Sequence, residues 1–406
     1  MTDPHAVAPP PPAPAGPPHP ALGTPTAGPD PLRQRGRTAL LVMFTVVAVS
    51  GAVGVGVLSS QAGDARGAGL AVGLALIPVP LVWWLYWWLD RYEPEPRRYK
   101  FAAFVWGGVF AVAISIGLEV WAATAWDLSD DVVASFVAPV VEESAKGLFF
   151  LLTFLRARRV LDGFVDGLVY AGLVGLGFAF VENIGYYAIS YLGSPDLLVD
   201  GADGATTTFV VRGLFSPLAH PLFTSAIGIS FGLAVLCRSR WVRVLVVTAG
   251  WAGAVLMHGL WNASVTFGGG VGFVVVYLAL SVLLAGLAVV TVIIRSRQVR
   301  VLERSLSYMA QRGWIHPAEL PYLSRFGYRR QARRHARREA GREAARVVRR
   351  YQRLGTEMAF VHDAVMTGRP VPAGVERTRA LLAAMDDLRP DLVLPPAIRP
   401  LAAHRS

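Results

Sequence analysis

The chain has 406 residues, 53% of them hydrophobic, and a formal net charge of +11, with a mean hydropathy of +0.44. That much apolar material exceeds what a soluble core needs and fits a polytopic membrane protein. The single cysteine, Cys237, excludes an internal disulfide and any cysteine-rich metal cluster, so metal chemistry would have to draw on His and carboxylate side chains.

Residues 1–38 are rich in Pro, Ala, Gly and Thr, which cannot bury enough apolar surface to offset chain ordering, and are expected to form a disordered cytoplasmic tail. This start lacks the charged, apolar and small-residue regions of a secretory signal, so the first apolar run is expected to remain as a span. Apolar runs follow at about 39–59, 68–89, 102–124, 132–155, 164–190, 213–236, 242–267 and 271–294. They predict an all-α polytopic membrane helix bundle of about eight transmembrane helices over residues 39–296, in the cell membrane, with an Arg-rich helical cytoplasmic tail over 297–406.

Loop charges predict the orientation. Arg33, Arg35 and Arg37 precede the first run. Arg91, Arg97, Arg98 and Lys100 follow the second, Arg156, Arg158 and Arg159 the fourth, and Arg238, Arg240 and Arg243 the sixth. The alternate loops hold only Arg66 and Arg212 beside acids such as Asp130, Asp200 and Asp203, so both termini are expected in the cytoplasm. The second run ends in Trp83, Trp84, Trp87 and Trp88, suited to the headgroup level. After it, Asp90-Arg91-Tyr92-Glu93-Pro94-Glu95-Pro96 reads as a stiff turn whose mixed charges suggest docking against another part of the chain.

The fourth run holds Glu142, Glu143 and Lys146. Each ionisable group at that depth costs roughly 2.5 to 3.5 kcal/mol on insertion scales, so three together need partners, water or a metal. Lys146 lies three and four residues beyond the carboxylates and can neutralise part of their charge, which leaves one carboxylate in surplus. The fifth run carries Gly163, Gly167, Ala171, Gly175 and Ala179 at four-residue spacing, a stripe that lets another helix approach closely. Glu182, seven residues after Gly175, lies near the same face and points into the bundle.

His220 enters the sixth run from its outer end. His258 and Asn262 share a face of the seventh with Gly250 and Ala254. These two are the only histidines of the expected membrane domain, and they sit at a depth comparable to the carboxylates. Glu119, near the outer end of the third run, has no evident role. Among Glu142, Glu143, Glu182, His220 and His258 there are enough groups for three ligands of a divalent metal, most plausibly Zn²⁺, and one proton acceptor. Lys146 or Asn262 could orient the carboxylates or polarise a substrate carbonyl, and this inventory suits hydrolysis of a peptide bond inside the membrane. Buried Glu, His and Lys also build proton relays in secondary transporters, but the paired repeats usual there are missing from the sequence.

The chain resembles the PrsW family of intramembrane proteases, related to the prenyl-protein endopeptidases of the CAAX-processing and bacteriocin-processing group. The resemblance rests on Glu142-Glu143-Ser144-Ala145-Lys146, Asp166-Gly167, Gly177-Phe178-Ala179-Phe180-Val181-Glu182-Asn183, Ala219-His220-Pro221-Leu222-Phe223-Thr224 and His258-Gly259-Leu260-Trp261-Asn262, together with the turn from Asp90 to Pro96. It implies a metalloprotease with Glu142, Glu143, Glu182, His220 and His258 in catalytic positions. The assignment that follows has Glu142, Glu143, Lys146 and Asn262 as catalytic residues and Glu182, His220 and His258 as metal ligands. Glu142 is expected to be the base, with Glu143 orienting a ligand or contacting the ion. The resemblance also implies a membrane-anchored protein substrate, as when PrsW-type enzymes cleave anti-sigma factors.

In the tail, 11 Arg and two Glu between Arg325 and Arg350, interrupted by Ala, Val and Tyr, predict a basic amphipathic helix against anionic lipid headgroups. Few aromatics and no reading motif argue against nucleic acid. Residues 351–390 read as two short helices.

Overall fold

The apolar periodicity is realised entirely as helix. The computed structural model describes residues 65–90, 95–157, 160–161, 163–193, 199–368, 371 and 373–396, and contains no strand among them. In chain order the helices are α1 (Ala65–Leu89), α2 (Arg97–Trp126), α3 (130–156), α4 (Phe164–Leu192), α5 (201–215), α6 (Ala219–Ala234), α7 (Arg240–Thr266), α8 (Gly269–Gln311), α9 (Leu320–Ser324), α10 (Phe326–Met366) and α11 (Gly374–Asp386).

Six spans among the described residues are long and apolar enough to cross a membrane: α1, α2, α4, the α5–α6 pair, α7 and α8. The expected run at 132–155 corresponds to α3, whose Glu142, Glu143 and Lys146 make it more charged than an ordinary apolar span. The expected 39–59 run and the 1–38 tail lie outside the described residues.

The bundle is built around α4, in which every residue from Val165 to Ala179 is buried. The small-residue stripe explains its place: α6 packs directly on it. A side chain on Gly175 would run into the backbone of His220 and Pro221, so this close approach sets where His220 stands. Nearer the start of α4, Glu95 Oε2 accepts from Tyr170 Oη at 2.8 Å, and the Glu95 backbone N–H donates to Asp90 Oδ1 at 2.9 Å. Asp90 also pairs with Lys100. Glu95 thus ties the described end of the Asp90–Pro96 turn to α4, and Asp90 holds the turn closed.

One expectation is corrected. Residues between Asp200 and Arg212 read as a loop, yet residues 201–215 are helical. Ala205 and Phe209 pack with Ala71, Ala75, Ile184 and Tyr187, and Ser190 Oγ meets Thr208 Oγ1 at 2.7 Å. Gly, Ala and Thr depress the hydropathy of this stretch while letting it pack closely, so its helicity was hidden. The helix breaks at Ser216–Leu218, where Pro217 cannot donate to the ladder, and α6 starts afresh at Ala219.

The tail forms its own core. The last third of α8 brings Leu302, Leu306 and Met309 against Leu323, Tyr351, Met358, Ala359 and Met385. Within α10 the chain turns at Ala340–Gly341, where Gly341 takes φ +82°, a value that suits glycine. The two arms pack together: Arg329 Nη1 donates to Thr356 Oγ1 at 2.7 Å, and Arg333 Nη1 to Gln352 Oε1 at 2.8 Å. The small face of the first arm, Ala332 and Ala336, is covered by Tyr322, Val348 and residues 392–394. The Arg-rich helix therefore has no free apolar stripe to insert into lipid on that face, and while Arg329 and Arg333 pack between the arms, Arg330, Arg334, Arg337 and Arg338 are exposed.

Candidate active site

Three helices converge on one buried group. Glu142, Glu143 and Lys146 come from α3, His220 from the first turn of α6 and His258 from α7. Lys146 Nζ lies 3.0 Å from Glu142 Oε2, 2.8 Å from Glu143 Oε1 and 3.1 Å from His220 Nδ1. Glu143 Oε1 also meets His258 Nδ1 at 3.1 Å, while its second oxygen accepts from Thr224 Oγ1 at 3.2 Å. Glu142 stands further out, with Oε2 3.9 Å from His258 Nε2. Adjacent positions on a helix differ by ~100° in direction, and the two carboxylates accordingly have different surroundings.

Aromatic faces complete the walls. Lys146 Nζ sits 3.7 Å from the centre of the Phe178 ring, a favourable place for a desolvated ammonium. Phe223 stacks on His258 with ring centres 5.0 Å apart. Trp106 Nε1 donates to the carbonyl of Ala145 and Trp251 Nε1 to Ser144 Oγ, each at 3.0 Å, which fixes the rotation of α3.

Donor atoms of Glu142, Glu143, His220 and His258 all lie within 4.8 Å of one another. Ligands ~2.0–2.2 Å from a shared centre stand up to about 4.4 Å apart, and two imidazoles with two carboxylates form a donor set that zinc accepts. The residues present therefore fit a divalent ion with slight contraction, and the Lys146 ammonium already shares their negative charge.

The other expected residues lie elsewhere. Glu182 is outside the donor group, on the far side of His220. Its Oε2 is 2.8 Å from His220 Nε2 and accepts from Arg212 Nη2 at 2.5 Å. Asn262 spends its Nδ2 on the carbonyl of Ala134 at 2.8 Å, in the π turn of α3 (Val133–Val137), and so ties α7 to α3. Glu119 keeps Oε1 buried without a hydrogen-bond partner among the described residues.

Two participants carried no role in the sequence reading. Thr224 lies one turn after His220, on the same face, and that spacing was the available signal. Arg212 counted only as a loop charge. Its Nε donates to Asn183 Oδ1 at 2.7 Å, and its guanidinium lies over the Tyr186 ring at 3.7 Å. A small cavity bounded by Asn183, Arg212, Ser216, His220 and Trp261 adjoins this corner, with room for about one water.

Comparison with known proteins identifies the family. A family profile described as "PrsW family intramembrane metalloprotease" matches residues 95–293. Protease PrsW of Geobacillus kaustophilus is 30% identical over 196 residues, covering 48% of this chain and 76% of that protein. Protease PrsW of Bacillus subtilis is 28% identical over 204 residues, covering 49% and 81% respectively. No solved structure matches.

Proposed function

Because the chain belongs to the PrsW family of intramembrane metalloproteases and is a multi-pass membrane endopeptidase, we propose that its active site is the buried Glu142–Glu143–His220–His258 group, with zinc as the metal. The relatives are proteases, and the transporter reading is not favoured. The observation that carries the proposal is the convergence of four donor atoms within 4.8 Å inside the bundle.

In this reading Glu143, His220 and His258 would hold the ion. A divalent ion bound there supplies Lewis acidity and lowers the pKa of a coordinated water toward ~7. Glu142, whose carboxylate is 3.9 Å from His258 Nε2, takes the proton of the attacking water and returns it to the amine as the peptide C–N bond breaks. Lys146 holds both carboxylates in place, Thr224 fixes the second oxygen of Glu143, and Glu182 with Arg212 orients His220 through its other nitrogen. Asn262 acts by tying α7 to α3.

The substrate class is a membrane-anchored protein, with anti-sigma factors as the first candidates. Loop charges support eight spans with both termini cytoplasmic, a protease domain over 39–296, and an Arg-rich module over 297–406 that faces anionic headgroups.

The test is elemental analysis of purified protein together with cleavage of a membrane-anchored reporter. About one divalent ion per chain, and arrest of cleavage by a chelator, are expected. Full cleavage in excess chelator by protein that holds no ion would overturn the proposal. Reporter fusions after Arg240 and Arg300 are expected to report cytoplasm, and fusions near Asp130 the outside.

A further inference from the structure

The folded tail carries a groove of 330 Å³ on the first arm of α10, between that arm and the extended segment 392–396. Arg330, Arg334 and Arg338 line it at four-residue spacing, so their Cα atoms span about 12 Å of one helix face. Gln331 and His335 add polar groups, and Glu339, 4.0 Å from His335, is the single acid among the lining residues.

The opposite wall is fixed. Leu392, Val393 and Leu394 pack on Tyr322 and the alanines of α10, and Tyr322 Oη donates to the carbonyl of Pro396 at 3.2 Å. Pro395 then faces the arginines across the gap. Arg334 and Arg338 form no ion pair among the described residues, although Arg325, Arg346 and Arg377 elsewhere in the module do. The volume falls in the range of small-ligand sites. A planar guanidinium fork matches phosphate oxygens bidentately, and three forks in a row supply more positive charge than one carboxylate needs.

We propose that this groove binds a phosphorylated anion carrying two or more negative charges, either a soluble polyphosphate or a phosphomonoester headgroup. It is a discrete site, and it does not depend on the protease assignment.

The full chain is reconstituted in nanodiscs of phosphatidylcholine and titrated with inorganic tripolyphosphate. In a second arm the nanodiscs carry phosphatidic acid, and protection of the module from hydrogen exchange is read. Saturable binding near one equivalent is expected in the first arm for a soluble ligand, or protection confined to the groove in the second for a headgroup. Arg334→Gln with Arg338→Gln should weaken either signal at least roughly tenfold. The control, Arg337→Gln with Arg342→Gln, removes the same charge outside the groove and should change affinity less than about threefold. Equal loss in both double variants, no response in either arm, or tighter binding of double-stranded DNA at matched salt would each overturn the proposal. Unchanged thermal unfolding of the variants confirms that the module is folded.

Discussion

The Arg212 guanidinium meets the Glu182 carboxylate at 2.5 Å, and that carboxylate in turn stands 2.8 Å from Nε2 of His220. An arginine from the helix that precedes the break therefore orients an imidazole from the helix that follows it. Arg212→Met should leave the half-buried Glu182 carboxylate with His220 as its remaining partner and lower stability by roughly 1 to 3 kcal/mol. Arg212→Lys keeps the charge but not the fork that reaches Asn183 and Glu182 together, and should recover most of the stability while turnover stays low. Melting temperature and cleavage rate, measured on both variants, separate the two effects.

Glu142 and Glu143 should fail differently. Glu142→Gln keeps shape and hydrogen bonding but cannot accept a proton, so cleavage should fall by at least about a hundredfold with metal content unchanged. His258→Ala should instead empty the site of metal. A fully active Glu142→Gln enzyme, or one as metal-poor as His258→Ala, would overturn the roles assigned here.

Two glycines near the site should respond in opposite ways. Gly175→Val places atoms where the backbone of His220 and Pro221 already lies, and should displace α6 and abolish both metal retention and cleavage. Gly259→Ala, directly beside His258, meets its nearest neighbour, the carbonyl of Ser135, at an ordinary 3.6 Å and should be tolerated. Metal content and activity of the two variants check this.

In the tail, burial pushes the His362 imidazole below its ordinary value, with the ring held 5.1 Å from Tyr308 and 5.9 Å from Trp314. Its neutral form is favoured by folding. The associated stability is full above the unfolded value of about 6.5 and declines as pH falls through 6.5 toward the lower folded value. Trp314 fluorescence, followed during denaturation at pH 7.5 and pH 5.5, should show the module less stable at the lower pH. His362→Phe should flatten that dependence.

The carboxylate pair, Lys146 and both histidines were legible because ionisable groups inside apolar runs have few innocent explanations. The stripe ending near Glu182 was legible because four-residue spacing of small side chains has one geometric meaning. Arg212 was not, since its surroundings are diluted by Gly and Thr until the helix no longer looks like one. Asn262 shares the His258 face, but only coordinates reveal that its amide is spent on Ala134. In the tail, charge dominates the sequence of α10 and hides the alanines Ala332 and Ala336 that carry its packing.

Helix α8 runs unbroken for 43 residues, from its packing against α7 to the core of the tail. From Leu287 to Gln311 it contains neither glycine nor proline. At its other end Phe273 and Tyr277 press their rings on Trp261, one turn from His258. The module is thus mounted on a stiff axle. Torque applied to it has no swivel in which to dissipate and arrives at the helix that carries His258.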